Sequence, residues 1–397
     1  MTTIGVVTVG RSDYGLYRPI LRKIQSEPDL ELSLFVSGMH LAPEFGLTLR
    51  EIEHDGVPIA HRVEMLLGSD TPEAIAKSMG LGAIGFAQAY AHSLPDLLLV
   101  LGDRFEMHAA ALAALPFKIP VAHIHGGEIT EGAIDDPLRH SITKLSHLHF
   151  VSTEASARRV TQMGEEPWRV IVSGSPAIDA VHEVELLEPE ELAARFGWDR
   201  CRPPLIVTFH PVTLEYEQTE WQMSELLEAL RAFDVPMVFT APNADTNGRI
   251  ITRMIEAFVR DRPGVRFVPN LGTQAYLSLM AAGAAMVGNS SSGIIEAASF
   301  ELPVVNIGSR QRGRTRAKNV IDVGYARAEI ASAIQAALAA EFRASLEGIT
   351  NPYGAGNAAE IIVKHLKELS LYPGLPIKRF VDWALPYDSA VSASLWS

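Results

Sequence analysis

Short apolar runs that stop at polar, glycine-containing turns recur along this chain, and the stretch Val100–His140 shows what they demand. The run Asp96–Leu101 is too short for a core helix and lacks the alternation of a half-exposed strand. It reads as a strand buried on both faces. It breaks at Gly102-Asp103-Arg104. Phe105–Leu115, rich in Ala, Leu and Met, suits a helix that Pro116 limits. A second buried strand, Val121–His125, breaks at Gly126-Gly127. Strand, helix and strand in that succession make a parallel pair. Two neighbouring strands then end side by side, one in Asp103-Arg104 and the other in His125-Gly-Gly-Glu128. Ligands of such sheets bind beyond the carboxyl ends of the strands. Carboxylates, a guanidinium and imidazoles converge at that edge, which marks it as a candidate active site.

The same alternation runs through both halves of the chain. Ile4–Val9 reads as a buried strand, then the turn Gly10–Gly15, then a helix over Tyr14–Gln25. Gly10 and Gly15 alone do not supply the dinucleotide pattern G-x-G-x-x-G. Leu32–Val36, Val57–Val63, Leu148–Val151 and Val170–Val172 continue the strand series. The stretch Glu183–Pro204 is acidic, carries three prolines and shows little strand pattern. It is the expected connection between two domains, 1–182 and 204–365, with 183–203 as linker. Strands resume at Leu205–Phe209, Met237–Thr240, Val265–Val268, Ala285–Val287 and Pro303–Ile307. The predicted fold class is therefore α/β, two Rossmann-like domains with parallel sheets and a ligand held in the cleft between them.

Totals narrow the partners. A chain of 397 residues with a formal net charge of -13 is unsuited to nucleic acid or an anionic membrane as its main partner. Cys201 is the only cysteine, so no intrachain disulfide or cysteine metal cluster can form. Met1–Gly10 lacks the basic start of a signal peptide, and no apolar segment approaches the about 20 residues of a membrane span. The expected compartment is the cytoplasm.

His123 and His125 lie two apart on a predicted strand, hence on one face. With Glu128 and His140 they could hold zinc; the alternative is general acid–base work, the usual task of His and carboxylates at a strand edge. Asp135-Asp136-Pro137 reads as a helix cap followed by Pro at the first helical position. In the second half, Gly288-Asn289-Ser290-Ser291-Ser292-Gly293 opens a helix after a strand, where hydroxyls and backbone N–H groups suit phosphate. No Gly-Lys-Ser/Thr accompanies it, which rules out a P-loop. Arg310 follows the next strand, inside the basic run Arg310–Lys318. A diphosphate held by the second half, with chemistry on what it carries performed by the first, is the layout of a nucleotide-sugar enzyme.

The ordered motifs Gly10-Arg-Ser-Asp-Tyr-Gly, Gly102-Asp-Arg-Phe-Glu, His123-Ile-His-Gly-Gly-Glu, Ile134-Asp-Asp-Pro-Leu-Arg-His, Phe209-His-Pro, Pro242-Asn-Ala-Asp, Gly288-Asn-Ser-Ser-Ser-Gly-Ile-Ile-Glu and Gly308-Ser-Arg-Gln-Arg-Gly-Arg together resemble the hydrolysing UDP-N-acetylglucosamine 2-epimerase family. The resemblance implies the glycosyltransferase-B architecture and a C-terminal tail, 366–397, that returns to the first domain. It implies UDP contacts from Arg11, Arg104, His210, Asn243, Ser290, Ser291, Glu296 and Arg310. It implies a catalytic set of Asp103, His125, Glu128, Asp135 and His210, with His125 where some members carry Glu. No metal or other cofactor is implied, and the expected assembly is a homo-oligomer, dimer or tetramer. The implied substrate is UDP-N-acetylglucosamine or UDP-2,4-diacetamido-2,4,6-trideoxyglucose. A non-hydrolysing epimerase, a UDP-sugar transferase and a non-catalytic UDP-sugar-binding protein remain as alternative readings.

Overall fold

Residues 1–43, 46–69, 71–131, 134–199, 201–242, 247–269, 271–368 and 374–383 are described by the computed structural model. Among them, the first half builds β1 (Thr2–Thr8), β2 (Leu30–Ser37), β3 (Ile59–Val63), β4 (Leu97–Leu101), β5 (Val121–Ile124), β6 (Leu148–Val151) and β7 (Val170–Val172). The second half builds β8 (Leu205–Thr208), β9 (Met237–Thr240), β10 (Val265–Val268), β11 (Ala285–Gly288), β12 (Val304–Ile307) and β13 (Val320–Val323). The strand orders are β3-β2-β1-β4-β5-β6-β7 and β10-β9-β8-β11-β12-β13, and all described pairings are parallel. With β8 taken as its first strand, the second sheet repeats the order of the first six strands of the other. Each sheet therefore has one point where the chain reverses its direction of travel, between β1 and β4 and between β8 and β11. Those are the places where doubly wound sheets bind ligands. The architecture is the two-sheet, glycosyltransferase-B-like one.

Continuous apolar runs become central strands because helices cover both faces. β4, β5 and β6 are buried at every position. The helix Pro72–His92 starts where Thr71 accepts a hydrogen bond from Ala74 N and Pro72 takes a position that needs no N–H donor. It lies against the Ala-rich helix Phe105–Ala114, so close that a Cβ on Gly82 would sit 3.0 Å from the Ala109 methyl. Small residues at that crossing fit the observed packing; a larger side chain would force the helices apart.

Sequence reasoning located the strands it assigned to within a few residues. It assigned neither β13, an edge strand whose VIDV side chains are only partly covered, nor the helix Arg327–Leu338. The helix Ala358–Lys367 crosses to the first sheet, where Ala359, Ile362, Val363 and Leu366 join the core around Tyr17 and Ile20. Its free N-terminal N–H groups are met by a residue far away in sequence: the Asp179 carboxylate accepts from Ala358 N at 3.0 Å and Ala359 N at 2.8 Å. Further on, the buried Arg169 guanidinium donates to the carbonyls of Leu375 at 2.9 Å and Ile377 at 2.8 Å. The two halves meet at an apolar floor of Ala177 and Ile178 against Ile294, Ile295 and Tyr353. No helix among the described residues is long and apolar enough to cross a membrane.

A candidate active site between the two sheets

Both reversal points open into one cleft of about 360 Å³, the size of a small-molecule site. From the first half it is lined by Arg11, Asp13, Asp103, Arg104, His125, Glu128, Asp135 and Arg139. From the second half come Thr208, His210, Tyr276, Ser290, Ser291, Glu296, Arg310 and Arg314. All the site residues expected from sequence are brought together here except Asn243, which lies outside the described residues.

On the first wall, Asp103 follows β4 and pairs with Arg139, a guanidinium only 1% exposed. Arg139 also donates to the Glu128 carbonyl at 3.0 Å. The neighbouring Arg104 forks onto the buried Glu106 carboxylate, with both nitrogens at 3.1 Å. After β1, the Asp13 carboxylate accepts from Thr8 Oγ1 at 2.6 Å and Val9 N at 3.0 Å. Burial nonetheless pushes it up to about 6.

The turn after β5 departs from the sequence expectation. β5 stops at Ile124, and His125 adopts a left-handed backbone with φ 65, so His123 and His125 do not share a strand face. His123 is buried, 2.7 Å from the Gly102 carbonyl and 3.2 Å from Thr143 Oγ1. His125 turns to Ser175 Oγ, 3.0 Å away, and lines the cleft. His140 lies 3.5 Å from Asp136. The four side chains that could have made a zinc site are thus dispersed, and no group of three or more metal-capable side chains occurs among the described residues. Asp135 and Asp136 also differ from expectation: the helix Asp135–Leu145 is capped by Ile134, which puts both aspartates in its first turn. Asp136 instead ties down the preceding loop by accepting from Thr130 N at 2.6 Å.

Burial lowers the His125 imidazole below its usual range; Glu128 opposes this and Arg314 adds to it. It is neutral at pH 7. Burial alone would raise Glu128, but Arg314, His125 and Ser152 outweigh it and hold the carboxyl below the ordinary range. Arg314 Nη1 stands 2.9 Å from Glu128 Oε2, and Ser152 Oγ donates to Oε1 at 2.6 Å.

The second wall suits an anion. Gly288 ends β11 with φ 139, where a Cβ would collide with the Thr208 carbonyl. This lets β8 and β11 close up, and the Asn289 side chain bridges them, accepting from His210 N at 2.7 Å and donating to His210 O at 2.9 Å. Ser290 then caps the helix Ser291–Ile295. That helix has five residues. What the turn offers is hydroxyls and amides more than a dipole. Arg310 Nη1 is anchored 3.2 Å from the Asn289 carbonyl. Burial, then the charges of Arg310 and Arg104, push His210 well below its ordinary value. Glu296 is pushed up to about 7, by burial before any other cause.

Several buried polar atoms of the cleft have no hydrogen-bond partner among the described residues: Asp13 Oδ1, Arg139 Nε, Glu296 Oε2 and Arg314 Nε and Nη1, the last being in ion-pair contact with Glu128 without the alignment of a hydrogen bond. Such orphans cost about 1–3 kcal/mol each in a folded protein, and they persist where a polar ligand meets them. Sequence reasoning missed four contributors. Arg139 had a signal, its i,i+4 spacing from Asp135 at a helix start; Arg314 lay within a quoted motif, read only as part of a basic run. Ser175 had one too, its place in the turn between the strand Val170–Val172 and the helix Pro176–Glu183; Tyr276 had none, because its place depends on how distant elements converge.

Two sheets with facing reversal points, a serine turn with Arg310 and His210 on one wall, Asp103, His125, Glu128 and Asp135 on the other and arginines on both, define an enzyme of the nucleotide-sugar class. The chain belongs to the UDP-N-acetylglucosamine 2-epimerase family, whose pattern matches residues 22–367. It is 37% identical over 366 residues to the UDP-N,N'-diacetylbacillosamine 2-epimerase (hydrolyzing) of Legionella pneumophila, covering 92% of this chain and 96% of that one. It is 40% identical over 321 residues to the GDP/UDP-N,N'-diacetylbacillosamine 2-epimerase (hydrolyzing) of Campylobacter jejuni, covering 80% and 83%. Among solved structures, the fold resembles the UDP-GlcNAc 2-epimerase of Neisseria meningitidis bound to UDP-GlcNAc, with a TM-score of 0.80 at 20% identity over 92% of this chain and 99% of that one.

Proposed function

We propose that this protein is a hydrolysing UDP-sugar 2-epimerase, converting a UDP-2-acetamido sugar and water into the 2-epimeric free sugar and UDP. The observation that carries the reading is the division of the cleft into an anion-holding wall and an acid–base wall. UDP lies against the anion-holding wall: Ser290, Ser291 and Arg310 take the diphosphate, joined across the cleft by Arg11 and Arg104 and on the same wall by His210, Glu296 accepts from the ribose, and Asn243 belongs to the same set. The sugar faces Asp103, His125, Glu128 and Asp135. Residues 1–182, with the returning helix Ala358–Lys367, form the sugar side, 183–203 the linker and 204–357 the UDP side.

Chemistry proceeds by elimination and hydration. A base takes the proton from C2 as the C1–O bond to the β-phosphate breaks, and the electron pair of C2–H becomes the C1=C2 bond of a glycal. Water then adds, hydroxyl to C1 and proton to C2 from the opposite face. His125 is the group best suited to the first proton transfer, because it is neutral at pH 7 whereas Glu128 is held as an ion-paired carboxylate. Charge that builds on the departing diphosphate is met by preorganised donors. The neutral His210 between two arginines gains basicity as the diphosphate compensates them, which fits it to protonate the leaving group.

The finer substrate is the UDP-2,4-diacetamido-2,4,6-trideoxy sugar. The two relatives of 37% and 40% identity carry that activity in their names. A cytoplasmic homo-oligomer completes the reading. The test is incubation with this UDP-sugar and with UDP-N-acetylglucosamine in D₂O, followed by NMR. Free UDP and a 2-epimeric sugar deuterated at C2 are expected. A product still linked to UDP would make it a non-hydrolysing epimerase, and full retention of the original C2 hydrogen would sink the elimination.

A further inference from the structure

The loop after β12 carries two cleft arginines that do different things. Arg310 turns back to its own domain, onto the Asn289 carbonyl at 3.2 Å. Arg314 leaves its domain: its Nη1 lies 2.9 Å from Glu128 Oε2 and its Nη2 is 3.4 Å from Thr130 Oγ1. The backbone follows, since Glu131 N donates to the Arg312 carbonyl at 3.4 Å. Gly313, at φ 85, packs so tightly on Ile129 that a Cβ would collide with it. We propose that Arg314 is a positioning residue for the sugar-side chemistry, delivering its charge across the cleft to Glu128 instead of to the diphosphate.

Charge bookkeeping around Glu128 supports this. His125 faces it from its own turn, Ser152 from the end of β6 and Arg159 from the helix Glu154–Gln162. Arg139 touches its carbonyl from the helix Asp135–Leu145. From the second domain come Arg314 and, at longer range, Glu296 and Tyr353. Of the cations, Arg314 is the one in ion-pair contact with the carboxylate and exerts the largest pull on it. Because the partners sit on different sheets, the pair exists only while the two walls are together. The ionised state of the acid–base wall is thereby made to depend on the cleft being assembled.

The inference rests on Glu128 belonging to the acid–base set. The experiment compares Arg314→Ala, Arg314→Lys, Arg310→Ala and Glu128→Gln in the full chain, by UDP calorimetry and the pH profile of kcat/KM. Losing Arg314 lets both Glu128 and His125 hold a proton to higher pH, so the acid limb of Arg314→Ala should move up by about one pH unit or more. That is about tenfold in rate on the acid side for each unit. Arg314→Lys should bring the limb back toward wild type, and UDP affinity should stay near wild type in both. Arg310→Ala should do the reverse, weakening UDP and leaving the limb in place. If Arg314→Ala weakens UDP as Arg310→Ala does, with an unmoved acid limb, Arg314 is a phosphate ligand and the proposal fails. Full turnover in Glu128→Gln would instead remove Glu128 from the acid–base set, a separate failure.

Discussion

Asp103 and Asp135 do not stand in equivalent surroundings, although both lie at the sugar side of the cleft. Asp103 shares a buried guanidinium with the rest of the wall, its side chain 22% exposed against 1% for Arg139. Replacing it by Asn removes the close ion pair of Arg139, and Asp136 stands farther off at 3.8 Å. An uncompensated buried charge of that kind costs about 3–5 kcal/mol, so Asp103→Asn should lower the melting temperature as well as the rate. Asp135 lies in the first turn of its helix, and Asp135→Asn keeps the size of the side chain while removing its charge. Turnover in both should fall by roughly 10²–10⁴-fold, as for lost acid–base groups, while UDP still binds in calorimetry. Near-normal rates would reduce Asp103 to a counter-ion for Arg139 and Asp135 to a helix-start residue.

At the level of elements, the turns after β8 and β11 act as one unit. Gly288 permits their close approach and Asn289 locks it, so the serines and His210 reach the cleft in a fixed relation. Gly288→Ala should therefore weaken UDP binding although it touches no ligand, and should destabilise the second domain, since strained backbone costs about 1–3 kcal/mol before the clash is counted. Ser290→Ala and Ser291→Ala should weaken UDP with little loss of stability, by about 1.5–3 kcal/mol for a hydrogen bond to a charged group. Calorimetry with thermal melting on the same samples separates the two patterns. Unchanged UDP affinity in all three variants would take this turn out of the nucleotide site.

For the whole molecule, the return of the chain to the first domain is what closes the structure. Arg169 is 1% exposed and its guanidinium is spent largely on carbonyls of the returning segment, together with the His147 carbonyl at 3.1 Å. Arg169→Ala leaves those carbonyls unmet and a cavity behind. It should lower the melting temperature by a few degrees, since a shift of about 2–4 °C per kcal/mol belongs to chains of about 150–250 residues and shrinks as the chain grows, while the affinity of the distant cleft for UDP survives. A melting temperature equal to wild type would show that the segment is held by its apolar contacts alone.

Local signals were enough for the parallel α/β class, the order of strands and turns, and the residues that sit at strand ends. Apolar run length and the turn residues that interrupt it are properties of adjacent residues, and a parallel sheet sends every strand end to one edge. Asp103, His125, Glu128, Ser290 and Arg310 were legible for that reason. Contacts between elements far apart in sequence were not. The left-handed turn at His125 separates it from His123, and the Arg139 pairing with Asp103 joins a helix to a strand end. The reach of Arg314 to Glu128 joins two sheets. Each depends on backbone direction and on the distance between packed layers, which no spacing along the chain encodes. The sequence could therefore name the groups of the site, but their charge states and partners were decided by the way the two sheets face each other.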